Sequence, residues 1–251
     1  MTRNAAPTGL ARLGVLWASI GLALSLMASP ALAGDRAQID LIGYSPDGSY
    51  LAFEEFGIQD GSGFAYSNVF VIDLVEDAWV VGTPIRVQAG EDTIPLTEIR
   101  AQAQDEAANN MATLNIEVPA QFIAMIGDGV PRNDGQTLNF GRPGFNAGEV
   151  IGDYGLELSV FGTPAATPCL EWFGSAPQGF ALGMSDSEGA REVHRDTNLP
   201  RSRGCPVDYR LFGVVAPFDS DPLSHAVAII SVYTYGFEGP DRRFIVVPLG
   251  L

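Results

Sequence analysis

IDLIGYSPDGSYLAFEEFGIQDGSGFAYSNVFVIDL, residues 39–74, carries the strongest local pattern in the chain. Ser45-Pro46-Asp47-Gly48 spells a tight turn. Proline presets φ at the second turn position, the aspartate side chain accepts hydrogen bonds from nearby backbone, and glycine tolerates positive φ. Tyr50-Leu51-Ala52-Phe53 follows and is rich in strand formers. Gly57 to Gly63 is a glycine-rich connection with Asp60-Gly61 as a second turn signal. Val69 to Leu74 then reads as a strand. The stretch predicts strand, turn, strand, loop, strand.

Outward from it, the same pattern of short β segments continues. Phe122–Ile126, Tyr154–Phe161, Phe180–Met184, Ala190–Val193 and Tyr209–Val215 are short apolar or alternating runs separated by Gly and Pro, the spacing of an antiparallel β domain. In Tyr154–Phe161, Tyr154, Leu156, Leu158 and Val160 share one face. Ala226–Tyr235 and Phe244–Pro248 form a final pair around a glycine-rich acidic connection, a weak echo of the opening segment or merely a second hairpin. Thr163–Pro168 is irregular. One segment breaks the β pattern. In Thr97–Met111, Ile99, Ala103, Ala107 and Met111 recur four apart and give a narrow apolar helix face, with Thr97 as candidate cap. The expected fold is mainly β: antiparallel sheets with propeller-like hairpins and one amphipathic helix near 97–111, or alternatively a β-sandwich.

YSPDGSYLAF followed by VFVIDL resembles one blade repeat of the TolB-like and WD40-like β-propellers, in which a Ser-Pro-Asp-Gly turn joins two strands and a third ends in Asp-Leu. That resemblance covers residues 39–74. A broader one rests on FEEFGIQDGSGF (53–64), LPRSRGCP (199–206) and GFEGPDRRF (236–244), which are similar to a proteobacterial family of predicted secreted proteins of unknown function. It implies export and no particular activity.

Residues 1–33 have the layout of a secretory signal peptide. Arg3 and Arg12 precede an apolar stretch, Leu13–Ala28. Pro30 breaks that stretch, and Ala31-Leu32-Ala33 fits the small-x-small cleavage rule. The apolar stretch falls short of the ~20 residues of a membrane span, and no Cys follows the cut to carry a lipid. The rest, 34–251, is then one mainly β domain in the periplasm or outside the cell, without stable membrane insertion.

The chain holds 30 acidic and 14 basic residues, for a net charge of −16. Every basic residue is Arg. So acidic a surface repels nucleic acid and anionic membrane faces, and the absence of Lys rules out P-loop and Schiff-base chemistry. Gly183-Met184-Ser185-Asp186 starts a nucleophile-elbow motif but meets Ser187 where Gly is required. The two histidines, His194 and His225, lack a metal-ligand spacing pattern. No cofactor or metal is expected. The Gly127–Gly135 loop is rich in Asp and Asn but lacks calcium-loop spacing, so it reads as a polar turn. A Ser-His-Asp site assembled in space stays open.

Candidate binding residues are few. Glu54 and Glu55 are adjacent on a strand and point to opposite faces, so they read as a solvated strand edge or, with Asp60, as part of a loop-proximal site. Arg201 and Arg203 flank Ser202 in a Pro/Gly-bounded loop, where they clamp a carboxylate or phosphate, or else pair internally. Arg242 and Arg243 carry the same two readings. The expected function is a non-catalytic binding or interaction module for an envelope protein or a small ligand, with an exported hydrolase as the alternative.

Cys169 and Cys205 are the only cysteines. An even count in an exported chain predicts a disulfide, here closing a loop of ~36 residues worth roughly 4 kcal/mol. Intact-mass measurement of protein recovered from the envelope fraction checks the export reading. A chain starting at Gly34 is expected, and a full-length mass would indicate a retained anchor instead.

Overall fold

The computed structural model describes residues 34–129, 135–220 and 223–251. The expected leader, 1–33, and the centre of the Gly127–Gly135 loop lie outside the described residues. The first sheet holds β1 (Gln38–Tyr44), β2 (Tyr50–Ile58), β3 (Ala65–Asp73), β4 (Ala78–Trp79) and β5 (Ile85–Gln88). It runs β1-β2-β3-β4, with β5 also on β3, all antiparallel. The opening stretch therefore forms the meander its turn signals predict. Asp47 accepts hydrogen bonds from Ser45 Oγ at 2.6 Å and Ser49 N at 3.1 Å. Gly48 sits at φ 72°, and a Cβ there would lie 2.4 Å from the His225 ring. Glycine is thus required both by the turn and by the space.

Helix α1 (Leu96–Thr113) packs on the outer face of this sheet. Ile99, Ala103 and Ala107 bury against Ala65, Val69 and Val87, the face the four-residue spacing indicates. The helix starts one residue before Thr97. Pro95 takes the cap position and its carbonyl accepts Glu98 N at 3.0 Å, so Thr97 makes no cap.

Two four-stranded antiparallel sheets complete the fold. The strand β6 (Ala120–Met125) joins β11 (Pro206–Pro217), β12 (Val227–Tyr235) and β13 (Pro240–Pro248) in the order β13-β12-β11-β6. The others, β7 (Thr137–Pro143), β8 (Val150–Gly162), β9 (Gln178–Asp186) and β10 (Gly189–Arg195), run β10-β9-β8-β7. The β13-to-β6 sheet lies between the other two. Val227 and Ile229 of β12 face the first sheet, meeting Phe53, Phe70 and Ile72. Ala228, Ile230 and Val232 face the third, meeting Leu158, Phe180 and Leu182. Helix, sheet, sheet and sheet therefore stack in sandwich-like layers, and the chain is mainly β and antiparallel as its sequence predicts.

Layering changes the reading of the acid pair. Glu54 and Glu55 do point to opposite faces, but both are buried, at 0% and 2% exposure. β2 is an inner strand, covered by α1 on one side and the middle sheet on the other, so no solvated edge exists there. Glu54 accepts from Arg100 Nε at 2.9 Å and Nη2 at 2.7 Å, from Gln104 at 2.9 Å and from Ser67 at 2.7 Å. Arg100 also reaches Asp40 at 2.7 Å and lies over the Phe56 ring. Burial alone would raise the Glu54 pKa, but the hydrogen bonds from Arg100, Ser67 and Gln104 outweigh it and hold it below its ordinary 4.5. This cluster clamps α1 to the sheet.

Removing the carboxylate strands three donors, so Glu54→Ala is expected to cost about 3 kcal/mol in denaturant unfolding. Because the folded pKa is lowered, the Glu54 contribution is complete above 4.5 and fades as pH falls through the folded value. Thermal melts should show the advantage of wild type over Glu54→Gln shrinking on acidification below 4.5; an advantage independent of pH would contradict this account. The Cys169–Cys205 bridge is formed, with Cα atoms 5.5 Å apart. Replacing both cysteines by serine should lower stability by roughly 4 kcal/mol.

Candidate ligand groove

The middle sheet ends in β13, and along its outer edge lies a cavity of about 740 Å³. One wall comes from the first sheet: Phe70 and Ile72 of β3, Trp79 of β4 and Arg86 of β5. The opposite wall comes from two short elements, α2 (Cys169–Phe173) and the 3-10 turn Arg201–Arg203. Local sequence explains that wall. Gly174 at φ 72° ends α2 and Gly204 at φ 66° ends the 3-10 turn. The disulfide ties the two together, and Ala166 N donates to Leu199 O at 2.9 Å. Phe173 stacks on Tyr235 of β12 with ring centroids 4.3 Å apart. The bridge thus holds the Arg201–Arg203 turn beside Trp172.

Arg243 organises the end of the groove nearest the amino-terminal segment. It bonds Asp35 at 2.7 Å, lies 3.7 Å from Glu55 and stacks over Tyr66. Asp35 also accepts from Tyr66 OH at 2.9 Å. Glu55 accepts from Phe244 N at 2.9 Å and Asn68 at 3.3 Å. Two buried carboxylates thus share one guanidinium. Burial pushes both acids above their ordinary pKa, against the opposing pull of Arg243. Burial also works against the Arg243 charge, but Tyr66, Asp35 and Glu55 outweigh it and hold its pKa above the usual value.

Asp196 anchors the other end. It accepts from Phe180 N at 3.0 Å, meets His194 Nε2 at 3.2 Å and lies 3.4 Å from Arg203. Burial raises its pKa, but the His194 and Arg203 contacts and the Phe180 N–H outweigh this and leave it lowered. His194 stacks on Phe180.

The fold therefore brings Glu55, Arg201 and Arg203 to one groove, although they lie about 150 residues apart in the chain. Glu54 is not among them; it faces α1 across the sheet. Asp60 lies in the exposed β2–β3 loop, where it accepts from Glu238 N at 3.3 Å. Arg242 and Arg243 both pair internally, Arg242 with Asp128 and the Ala37 carbonyl. Arg203 pairs with Asp196, while Arg201 has no carboxylate partner among the described residues. Arg86 and Trp79, which stack at 5.6 Å on the far wall, are site residues without a sequence signal. No local motif marks them, because only the layering brings β4 and β5 opposite the disulfide loop.

Among the described residues, no three His, Cys, Asp or Glu side chains gather to hold a metal ion. No described helix is long and apolar enough to cross a membrane. No curated protein matches the chain. Residues 52–249 do match the family described as Predicted secreted protein (DUF2259), and the chain therefore belongs to that family of predicted secreted proteins of unknown function.

Proposed function

We propose that this secreted protein is a periplasmic binding module, not a catalyst, and that the β13 groove takes an anionic ligand with apolar bulk. The charge of the groove carries this reading. Four arginines line it (Arg86, Arg201, Arg203 and Arg243) beside Glu55 and Asp77. Asp196 pairs Arg203, and Asp35 and Glu55 pair Arg243, which leaves Arg86 and Arg201 as its unpaired guanidinium groups in a chain of 30 acids and 14 basic residues. Two unpaired guanidinium groups in so acidic a chain draw anions from solution. Arg86 and Arg201, on facing walls, have no carboxylate partner among the described residues and are left to bind one. Half-exposed Trp79, Trp172 and Phe173 supply flat apolar surface beside them, as small-ligand sites do.

Both tryptophans of 34–251 line the groove, so intrinsic fluorescence reports its occupancy directly. Titration with anilinonaphthalene sulfonate, an anionic aromatic probe, is expected to quench that emission. Arg86→Glu combined with Arg201→Glu should weaken binding by about a hundredfold through loss of two charge contacts. An affinity unchanged by the double variant would remove the ligand site. Ester or peptide hydrolysis abolished by His194→Ala would replace the binding reading with the hydrolase one, since His194 is already held by Asp196.

A further inference from the structure

The floor of the groove is an unfinished sheet. In an antiparallel ladder, residues alternately direct their N–H and C=O groups toward and away from a given neighbour. The β12–β13 register is unbroken from Val227↔Pro248 to Tyr235↔Pro240, so one alternation holds along the whole strand. Leu249 N bonds Ala226 O, which puts odd-numbered residues of β13 toward β12. Arg242 and Phe244 agree, because their N–H groups point the other way. Arg242 N donates to Asp35 O at 2.7 Å, where Arg36 bridges Arg242 in parallel, and Phe244 N donates to Glu55. Val246 has the same parity. Its N–H and C=O face the groove and have no hydrogen-bond partner among the described residues.

The chain thus treats one edge in three ways. Its own amino-terminal segment covers Arg242, a buried carboxylate caps Phe244, and Val246 is left open inside a cavity with basic and aromatic walls. An open apolar strand edge invites pairing with another chain, and proteins normally block it with charge, proline or a covering segment. Here Pro248 ends the strand, but nothing described covers Val246.

We infer that an extended acidic peptide adds to β13 as a further strand, with main-chain hydrogen bonds at Val246 and acidic side chains at Arg86 and Arg201. This rests on the anionic-groove reading above and deepens it. Strand addition supplies affinity from main-chain bonds and specificity from pockets for alternate side chains. Either strand direction satisfies the geometry. An antiparallel peptide residue opposite Val246 bonds both its groups, while a parallel one donates to Phe244 O and accepts from Val246 N–H. The Phe70 and Ile72 side of the edge and the Trp172 and Phe173 side take side chains pointing to opposite faces. A free anion would satisfy the arginines but leave Val246 unpaired.

The test uses the mature chain and acetyl-Glu-Glu-Val-Glu-Glu-amide, which carries acids on both faces of the strand, read by tryptophan quenching, beside the same peptide N-methylated at its central residue. N-methylation removes one donor and keeps the charge, so it should weaken binding by about tenfold, as should Val246→Pro in the protein. Proline is tolerated where an edge N–H points away from the sheet, and the N-methyl peptide gives the same reading on unaltered protein. Equal affinity of the two peptides would overturn strand addition, as would failure of the peptide to bind where anilinonaphthalene sulfonate binds. In both outcomes the anionic groove stands. Binding of both probes unaffected by Arg86→Glu with Arg201→Glu would overturn the groove itself.

Discussion

The middle sheet is covered on both faces, and the rest of the molecule follows from that. A sheet with one wet face alternates apolar and polar residues; one covered on both sides needs apolar residues at nearly every position. β12 meets this demand with Val227, Ala228, Ile229, Ile230 and Val232 all buried. β11 meets it with Leu211, Val214 and Ala216 on one face and Phe212 and Val215 on the other, after a register shift between Leu211 and Gly213. Two such faces require two covering layers. The strands before Asn115 supply one and those from Thr137 to Arg195 supply the other.

Enclosure on both sides also explains the buried charge. The first sheet is itself covered by α1, so an acid on β2 finds protein on either side. Burying a carboxylate is costly unless it is paired and hydrogen-bonded. Glu54 is satisfied by Arg100, Gln104 and Ser67. Glu55 is satisfied by Asn68 and the Phe244 N–H, near Arg243. The Glu55 contact does more than satisfy an acid. It links β2 to the edge of β13 and so ties the first sheet to the middle one at that end of the groove.

The groove exists because its walls have different origins. One is the rim of a sheet, the other a disulfide-stapled loop. Between them the sheet edge stays open, and the unpaired arginines stand on the two rims rather than on the floor.

Local residue patterns specify the elements. Turn chemistry at Ser45–Gly48, four-residue spacing in α1, alternation in β8 and the even cysteine count are local signals, and each corresponds to a formed element or bond. They also set Glu54 and Glu55 on opposite faces, since strand geometry alone requires it. What those faces meet is set by the packing of layers, because burial depends on which layer covers a strand and not on the residues beside it. Hence two acids that look solvated in sequence are buried, Glu55 joins Arg201 and Arg203 while Asp60 does not, and Arg86 and Trp79 enter the site unannounced. The open edge at Val246 is the furthest from sequence: a free main-chain group is defined by the absence of a neighbouring strand, and no residue type encodes that absence.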